Sequence, residues 1–315
     1  MIKKIAVLGI GTMGNGCAIA FAIYGYDVNL WYHGDEKKLL ATKGAMRQQL
    51  QVMAEEEFIT VDNIDATLDR INLFSNLQKA VEDRDYILEC APEKIDVKQN
   101  LFKQLDEYCP SHTVLASNTS SLKLNDMMAL VSEKRKPLMM VNHWYNPPHL
   151  MPIVELSNFG NTPEAVYKNV EFLYNSIKKQ TVKVLKDVPG LVANRIQQAV
   201  AREAFSLIEQ GIAAPEDVDK ALKFGPAFRY ATTGQLEVAD FGGLDIWCTV
   251  GDNLLSIMDN SQCANKLLRE KVKEGKLGIK SGEGFYKYSE EEIPAIRKRF
   301  IKKLIHQLKA SEYYV

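Results

Sequence analysis

The chain has 315 residues, 46% hydrophobic and 25% charged, which suits an ordinary globular protein of two domains. Its formal net charge of -1 offers no basic footprint for nucleic acid or an anionic membrane, and its apolar runs are too short to span a bilayer. Five scattered cysteines without a CxxC pair argue against a disulfide frame or a zinc site; no metal is expected, and a reducing, cytoplasmic setting is.

In chain order, KKIAVLGI reads as a strand, GTMGNGCAIAFAIYGY as a tight turn and helix, and DVNLWYH as a second strand. Helical patterns follow over 36–58 and 61–68. Short β-rich runs then recur at 71–75, 84–91, 112–117, 137–144, 152–157 and 181–186, most of them separated by helical patterns such as KQNLFKQLDEYC. This alternation predicts an α/β fold, a Rossmann-type doubly wound and largely parallel sheet over residues 1–187. Past Val188-Pro189-Gly190 the pattern turns helical, with one strand-like run, GFYKY, near residue 285. An all-α C-terminal domain over 188–315 is therefore expected. The basic residues of its last helix read as a solvated face.

Gly9, Gly11 and Gly14 form a G-x-G-x-x-G directly after a strand and directly before a helix of small residues. Gly9 permits the turn, Gly11 lets a pyrophosphate approach the backbone, and Gly14 lets helix pack on strand; Thr12 and Met13 open the helix whose free N–H groups would hold the phosphates. The βαβ context makes this a dinucleotide site. The carboxylate usually found at the end of the second strand is missing: Tyr32 stands there, with Asp35 the nearest acid able to reach back. Nothing nearby grips a 2′-phosphate firmly, although His33 and Lys37 are candidates, so NAD is favoured over NADP.

A second cluster lies between Ser117 and Glu155. Asn118 and Ser120 sit in SNTSSL, His143 stands at a strand end, and Glu155 follows twelve residues later in PIVELS. Histidine exchanges protons near neutral pH, and a carboxylate on its second nitrogen fixes its tautomer. That set suits removal of an alcohol proton while hydride leaves. His149, in the same loop, is an internal rival to His143. Helix capping is the plain alternative for Asn118 to Ser121 and for Asn194, and an ordinary surface position is the alternative for Glu155.

GIGTMG, ECAPEKIDVKQNLF, ASNTSSL, HWYNPPHLMPIVE, DVPGLVANR and GKLGIKSGEGFYKY together resemble the L-3-hydroxyacyl-CoA dehydrogenase family, in this order and over nearly the whole chain. The resemblance implies a Rossmann domain and a helical, dimerising domain with substrate between them. It implies His143 as base, Glu155 as its partner, Ser120 and Asn194 on the substrate oxygen, Asn118 near the nicotinamide ribose, and Glu93 with Lys98 beside the nicotinamide half.

Two stretches depart from that pattern. Short-chain acyl-CoA members carry lysines for the CoA phosphates on the helix near 40–60, where this chain has Glu55, Glu56 and Glu57; Lys37, Lys38, Lys43 and Arg47 stand ready to compensate. The segment 224–245, with Arg229-Tyr230, looks like the branch of lambda-crystallin and of the gulonate and carnitine dehydrogenases. Arg229 there suits a substrate carboxylate, or equally a structural salt bridge. The expectation is thus an NAD-dependent 3-hydroxyacyl-CoA dehydrogenase acting as a homodimer. A free 3-hydroxy carboxylate substrate and a non-catalytic, crystallin-like protein are the alternatives.

Overall fold

A computed structural model describes residues 1–312, and the chain divides into two compact units. The first holds Met1–Val192 and Ile301–Leu308; the second holds Ala193–Phe300 and the described residues after Leu308. Part of the last helix therefore belongs to the first unit. No helix among the described residues is long and apolar enough to cross a membrane.

The first unit runs β1 (Lys4–Leu8), α1 (Thr12–Ile23), β2 (Asp27–Trp31), α2 (Glu36–Glu55), α3 (Asp62–Asp69), β3 (Ile71–Phe74), α4 (Leu77–Val81), β4 (Tyr86–Glu89) and α5 (Ile95–Tyr108). It continues with β5 (Val114–Ser117), α6 (Leu124–Met127), β6 (Met139–Trp144), β7 (Ile153–Ser157), α7 (Glu164–Ser176) and β8 (Gln180–Val184). One sheet takes the order β3-β2-β1-β4-β5-β6-β7-β8, parallel throughout except where β7 runs antiparallel to β6. The chain leaves β1 toward β2 on one side and returns to β4 on the other. That reversal opens a crevice beyond the carboxyl ends of β1 and β4, where open α/β sheets bind ligands.

Both faces of the sheet are covered because successive strand residues point to opposite sides. Ile5, Val7, Tyr86 and Leu88 pack in one apolar cluster with α1, while Ala6, Leu8 and Ile87 pack in another with α5. Strands buried on both sides need continuous apolar runs, and the sequence supplies them.

The second unit runs α8 (Ala193–Glu209), α9 (Pro215–Phe224), α10 (Pro226–Tyr230), α11 (Gln235–Gly242), α12 (Leu244–Leu254), α13 (Lys266–Lys273) and the start of α14 (Ile293–Ser311). The strand expected at GFYKY is absent. Glu283 only makes isolated bridges to Gly278 and Lys287. A Cβ on Gly284 would lie 2.8 Å from the Cα of Gly278, so the chain folds tightly on itself there.

The segment Ile301–Leu308 of α14 belongs to the first unit because it completes that unit's core. Ile305 is fully buried there, with Ile301 and Leu304 against the same cluster. Its basic residues are not merely solvated: Lys302 and His306 both pair with Glu56, just past the end of α2.

Candidate active site

The sequence of β6 explains the placement of His143. Asn142 and Trp144 turn to one face of the sheet, where Asn142 Nδ2 donates to Tyr86 Oη (2.7 Å) and Trp144 Nε1 donates to Tyr174 Oη (3.1 Å). These buried bonds lock the strand, since a slip of one residue would carry both polar groups away from their partners. His143 is thereby turned to the opposite face. In the antiparallel register it lies directly across from Glu155, and Nδ1 stands 2.8 Å from Glu155 Oε2. Glu155 is 0% exposed and His143 6%. The other carboxylate oxygen accepts the Val192 N–H at 2.8 Å. A buried carboxylate with these donors stays in place and presents a fixed acceptor to the ring. The adjoining Tyr145 ring packs edge-on to His143, and burial, reinforced by Glu155, pushes its hydroxyl up to about 12.

His149 has no such partner. It is buried against α1, where its Nδ1 would meet a Cβ added to Gly16 at 3.2 Å, and neither ring nitrogen has a hydrogen-bond partner among the described residues. Burial, with the Lys179 charge second, pulls it down to about 4. It is a neutral packing residue at physiological pH, which removes it as rival to His143.

The loop after β5 does something different from capping a helix. α6 starts only at Leu124, with Lys123 at its cap and no side-chain bond there. Instead, Glu93 gathers the loop: its Oε1 accepts from Thr119 Oγ1 (2.5 Å), Ser121 Oγ (2.9 Å) and the N–H groups of Ser120 (3.1 Å) and Ser121 (3.2 Å). Burial alone would raise this carboxyl, but the Thr119 and Ser121 bonds and the Lys98 charge outweigh it and hold it below its usual range. The backbone of Ser120 is spent on Glu93 and on the Gly190 N–H, and its hydroxyl takes no part in that network. Asn118 bridges strands: its N–H donates to Glu89 O, and its Oδ1 accepts the Trp144 N–H at 2.8 Å, one residue beyond His143.

Lys98 turns inward. It is 1% exposed, and its Nζ donates to both oxygens of Glu89 at 2.7 and 2.8 Å, with Glu93 Oε2 3.4 Å away. Glu89, 0% exposed, also accepts from Ser117 Oγ (2.5 Å) and the Ala91 N–H (2.6 Å). Sequence reading missed Glu89. The signal was present: a carboxylate ending the apolar run YIL must find a cation or several donors.

At the crevice, the glycine turn fits a dinucleotide. Gly9 has φ +122°, and a Cβ there would lie 2.7 Å from Cys90 O; one on Gly14 would lie 1.9 Å from Gly9 O. A Cβ on Gly11, in contrast, would meet nothing within 4 Å among the described residues, so an open cradle fronts α1. Gly11 provides no side-chain cap and the first turn carries no acid, which leaves the N–H groups around Thr12 and Met13 for an anion. Tyr32 follows β2 and its ring folds over Gly34, where an added Cβ would lie 2.4 Å from it. Asp35 does not reach back freely, because its Oδ1 accepts the Lys37 N–H as the cap of α2.

Comparison with known proteins agrees with this geometry. Residues 4–188 match the family model described as 3-hydroxyacyl-CoA dehydrogenase, NAD binding domain, and residues 190–288 match that of its C-terminal domain. The chain belongs to the 3-hydroxyacyl-CoA dehydrogenase family. This family member is an NAD-dependent oxidoreductase. It is 35% identical to a probable 3-hydroxybutyryl-CoA dehydrogenase of Bacillus subtilis, over 92% of this chain and 99% of that one. It is 31% identical to a 5-formyl-3-hydroxy-2-methylpyridine 4-carboxylate 5-dehydrogenase of Mesorhizobium japonicum, over 97% of each. A crystal structure of a dehydrogenase of that name, described as an NAD+ dependent dismutase, superposes with a TM-score of 0.89 over 99% of both chains at 30% identity.

In the second unit, Asn194 lies in the first turn of α8, inside the helix and not at its cap. Arg229 is exposed on α10, and no ion pair among the described residues includes it.

Proposed function

We propose that this dehydrogenase oxidises the alcohol of a free hydroxy carboxylate, and that its substrate is not carried on CoA. The observation behind this is the state of α2. Two of the four cations that would stand in for the family's CoA-binding lysines are engaged, Lys43 Nζ donating to Leu68 O at 2.9 Å and Arg47 pairing with Asp65 at 2.6 Å, while Lys37 and Lys38 in the first turn of α2 show no side-chain partner among the described residues. Glu56, at the far end, holds Lys302 and His306 of α14. That helix lies beyond residue 288, where the family's C-terminal match ends. A phosphate brought to the later turns of α2 would meet engaged cations and a carboxylate. The full-length likeness to a relative named for a pyridine carboxylate is in keeping with a compact acid.

Bound NAD supplies the hydride acceptor at its nicotinamide C4. Glu155 holds Nδ1 of His143, which leaves Nε2 to take the hydroxyl proton as the C–H bond gives up its hydride. The same carboxylate stabilises the imidazolium that forms. Ser120 Oγ and Asn194 hold the reacting oxygen, Arg229 pairs with the substrate carboxylate, and Asn118 and Glu93 serve the nicotinamide end of the cofactor. Gly9, Gly11, Thr12, Met13 and Gly14 hold the pyrophosphate, and Tyr32 borders the adenosine ribose. A homodimer completes the proposal, supported by the exposed Phe228, Phe241, Leu244, Ile246 and Trp247 on α10 to α12.

NADH formation at 340 nm with free 3-hydroxy acids and with 3-hydroxybutyryl-CoA tests the substrate class. A free acid is expected to exceed the thioester in kcat/KM by about 100-fold, and Arg229→Ala to remove about tenfold or more of that through KM. Preference for the thioester, unchanged by Arg229→Ala, would overturn the proposal.

A further inference from the structure

We propose that Glu89 is a positioning residue for the nicotinamide end of the cofactor groove, acting through Lys98 on Glu93 and through Ser117 on the loop of Asn118 and Ser120. It rests on the assignment of this crevice to NAD, and not on which alcohol is oxidised.

Glu89 ends β4, next to the turn that closes on Gly9. It is connected in three directions. Its side chain takes the Lys98 ammonium on both oxygens, and the same ammonium stands 3.4 Å from Glu93 Oε2. The Ser117 hydroxyl donates to its Oε2 at the exit of β5, and its main-chain carbonyl accepts the Asn118 N–H at 2.9 Å. The Ala91 N–H, donating to Oε1, fixes the start of the loop that leads to Glu93. Both segments assigned to the nicotinamide end, 91–95 and 117–122, are therefore tied to one carboxylate lying beneath them.

The charges explain why a neutral residue would not serve. Glu89 and Lys98 cancel in a place water does not reach, and a lone ammonium there would carry a large desolvation penalty. With an amide at position 89, Lys98 would face NH2 donors or a single carbonyl oxygen and keep Glu93 as its only anion. Glu93 would be drawn toward it and away from the four donors of the 119–121 loop. The glycine turn, held by Gly9, Gly14 and the β2 carbonyl of Trp31, uses none of these bonds.

Three proteins test this: the wild type, Glu89→Gln, and Glu89→Gln with Lys98→Met. Two ligands are titrated without substrate: NADH by fluorescence, and ADP, which reaches only the glycine turn and the adenosine side, by calorimetry. Glu89→Gln is expected to weaken NADH binding by about tenfold or more and to change ADP binding less than about twofold. The double variant is expected to recover wild-type melting temperature, because the stray charge is gone, while NADH binding stays weak because the link to Glu93 is still cut. Equal weakening of ADP and NADH would make Glu89 a general structural residue and overturn the proposal; so would unchanged NADH binding in both variants. Wild-type protein that binds NADH no tighter than ADP would instead refute the cofactor assignment itself.

Discussion

Glu155 and Glu89 are both fully buried carboxylates of one sheet, and the comparison turns on what each faces. Glu155 meets an imidazole across an antiparallel rung, whereas Glu89 meets an ammonium that comes down from α5. Imidazole changes charge near neutral pH and a salt-bridged ammonium does not. On the proposed reading, the same burial yields a proton exchanger in the first case and a fixed strut in the second. The partner, not the acid, decides the role.

The largest effect that should separate the two comes from the imidazole. His143→Gln is expected to lower kcat by about 10³- to 10⁴-fold while NADH affinity stays at the wild-type value; a loss below about tenfold would put the base elsewhere. Next comes the acid beside it. Glu155→Gln keeps an oxygen for the Val192 N–H but no longer stabilises an imidazolium, so kcat should fall about 10²-fold with cofactor binding unchanged. This is the opposite of the pattern expected for Glu89→Gln, where cofactor affinity moves. If both variants changed cofactor affinity alike, the two carboxylates would not differ as described.

The smallest effect concerns the third member of the comparison, a buried histidine with no acid at all. His149 is pulled from 6.5 to about 4 by burial and then by Lys179. Between those values the unfolded chain binds a proton that the folded chain refuses. Stability is therefore fully present above about pH 6.5 and is lost as pH falls toward 4, by up to about 3 kcal/mol. His149→Phe should flatten that limb, seen as a smaller difference between urea midpoints at pH 7 and pH 4.5. An unchanged difference would mean that the ring is charged in the folded state.

Much of this was legible in the chain itself. Strand runs such as KKIAVLGI and PLMMVNHW stand out because a doubly covered parallel sheet needs unbroken apolar segments. The His143–Glu155 pair was readable because residues twelve apart on two strands joined by a short turn can meet. Glu89 was hidden because its partner lies nine residues on in a helix, and strand-to-helix geometry has no period to read. GFYKY misled because aromatic β-formers make a strand only where another edge is free to receive them. The return of α14 was also out of reach: its Lys302 and His306 look like a solvated face until Glu56, some 250 positions earlier, is placed beside them.

The most direct test of the proton-exchange claim is the tautomer of His143, read from long-range 1H–15N spectra of histidine-labelled protein and assigned by its loss in His143→Gln. The neutral ring is expected to carry its proton on Nδ1, in a bond that Glu155→Gln weakens, with Nε2 bare. A neutral ring protonated on Nε2 would have no lone pair there to receive the alcohol proton, and would contradict the mechanism.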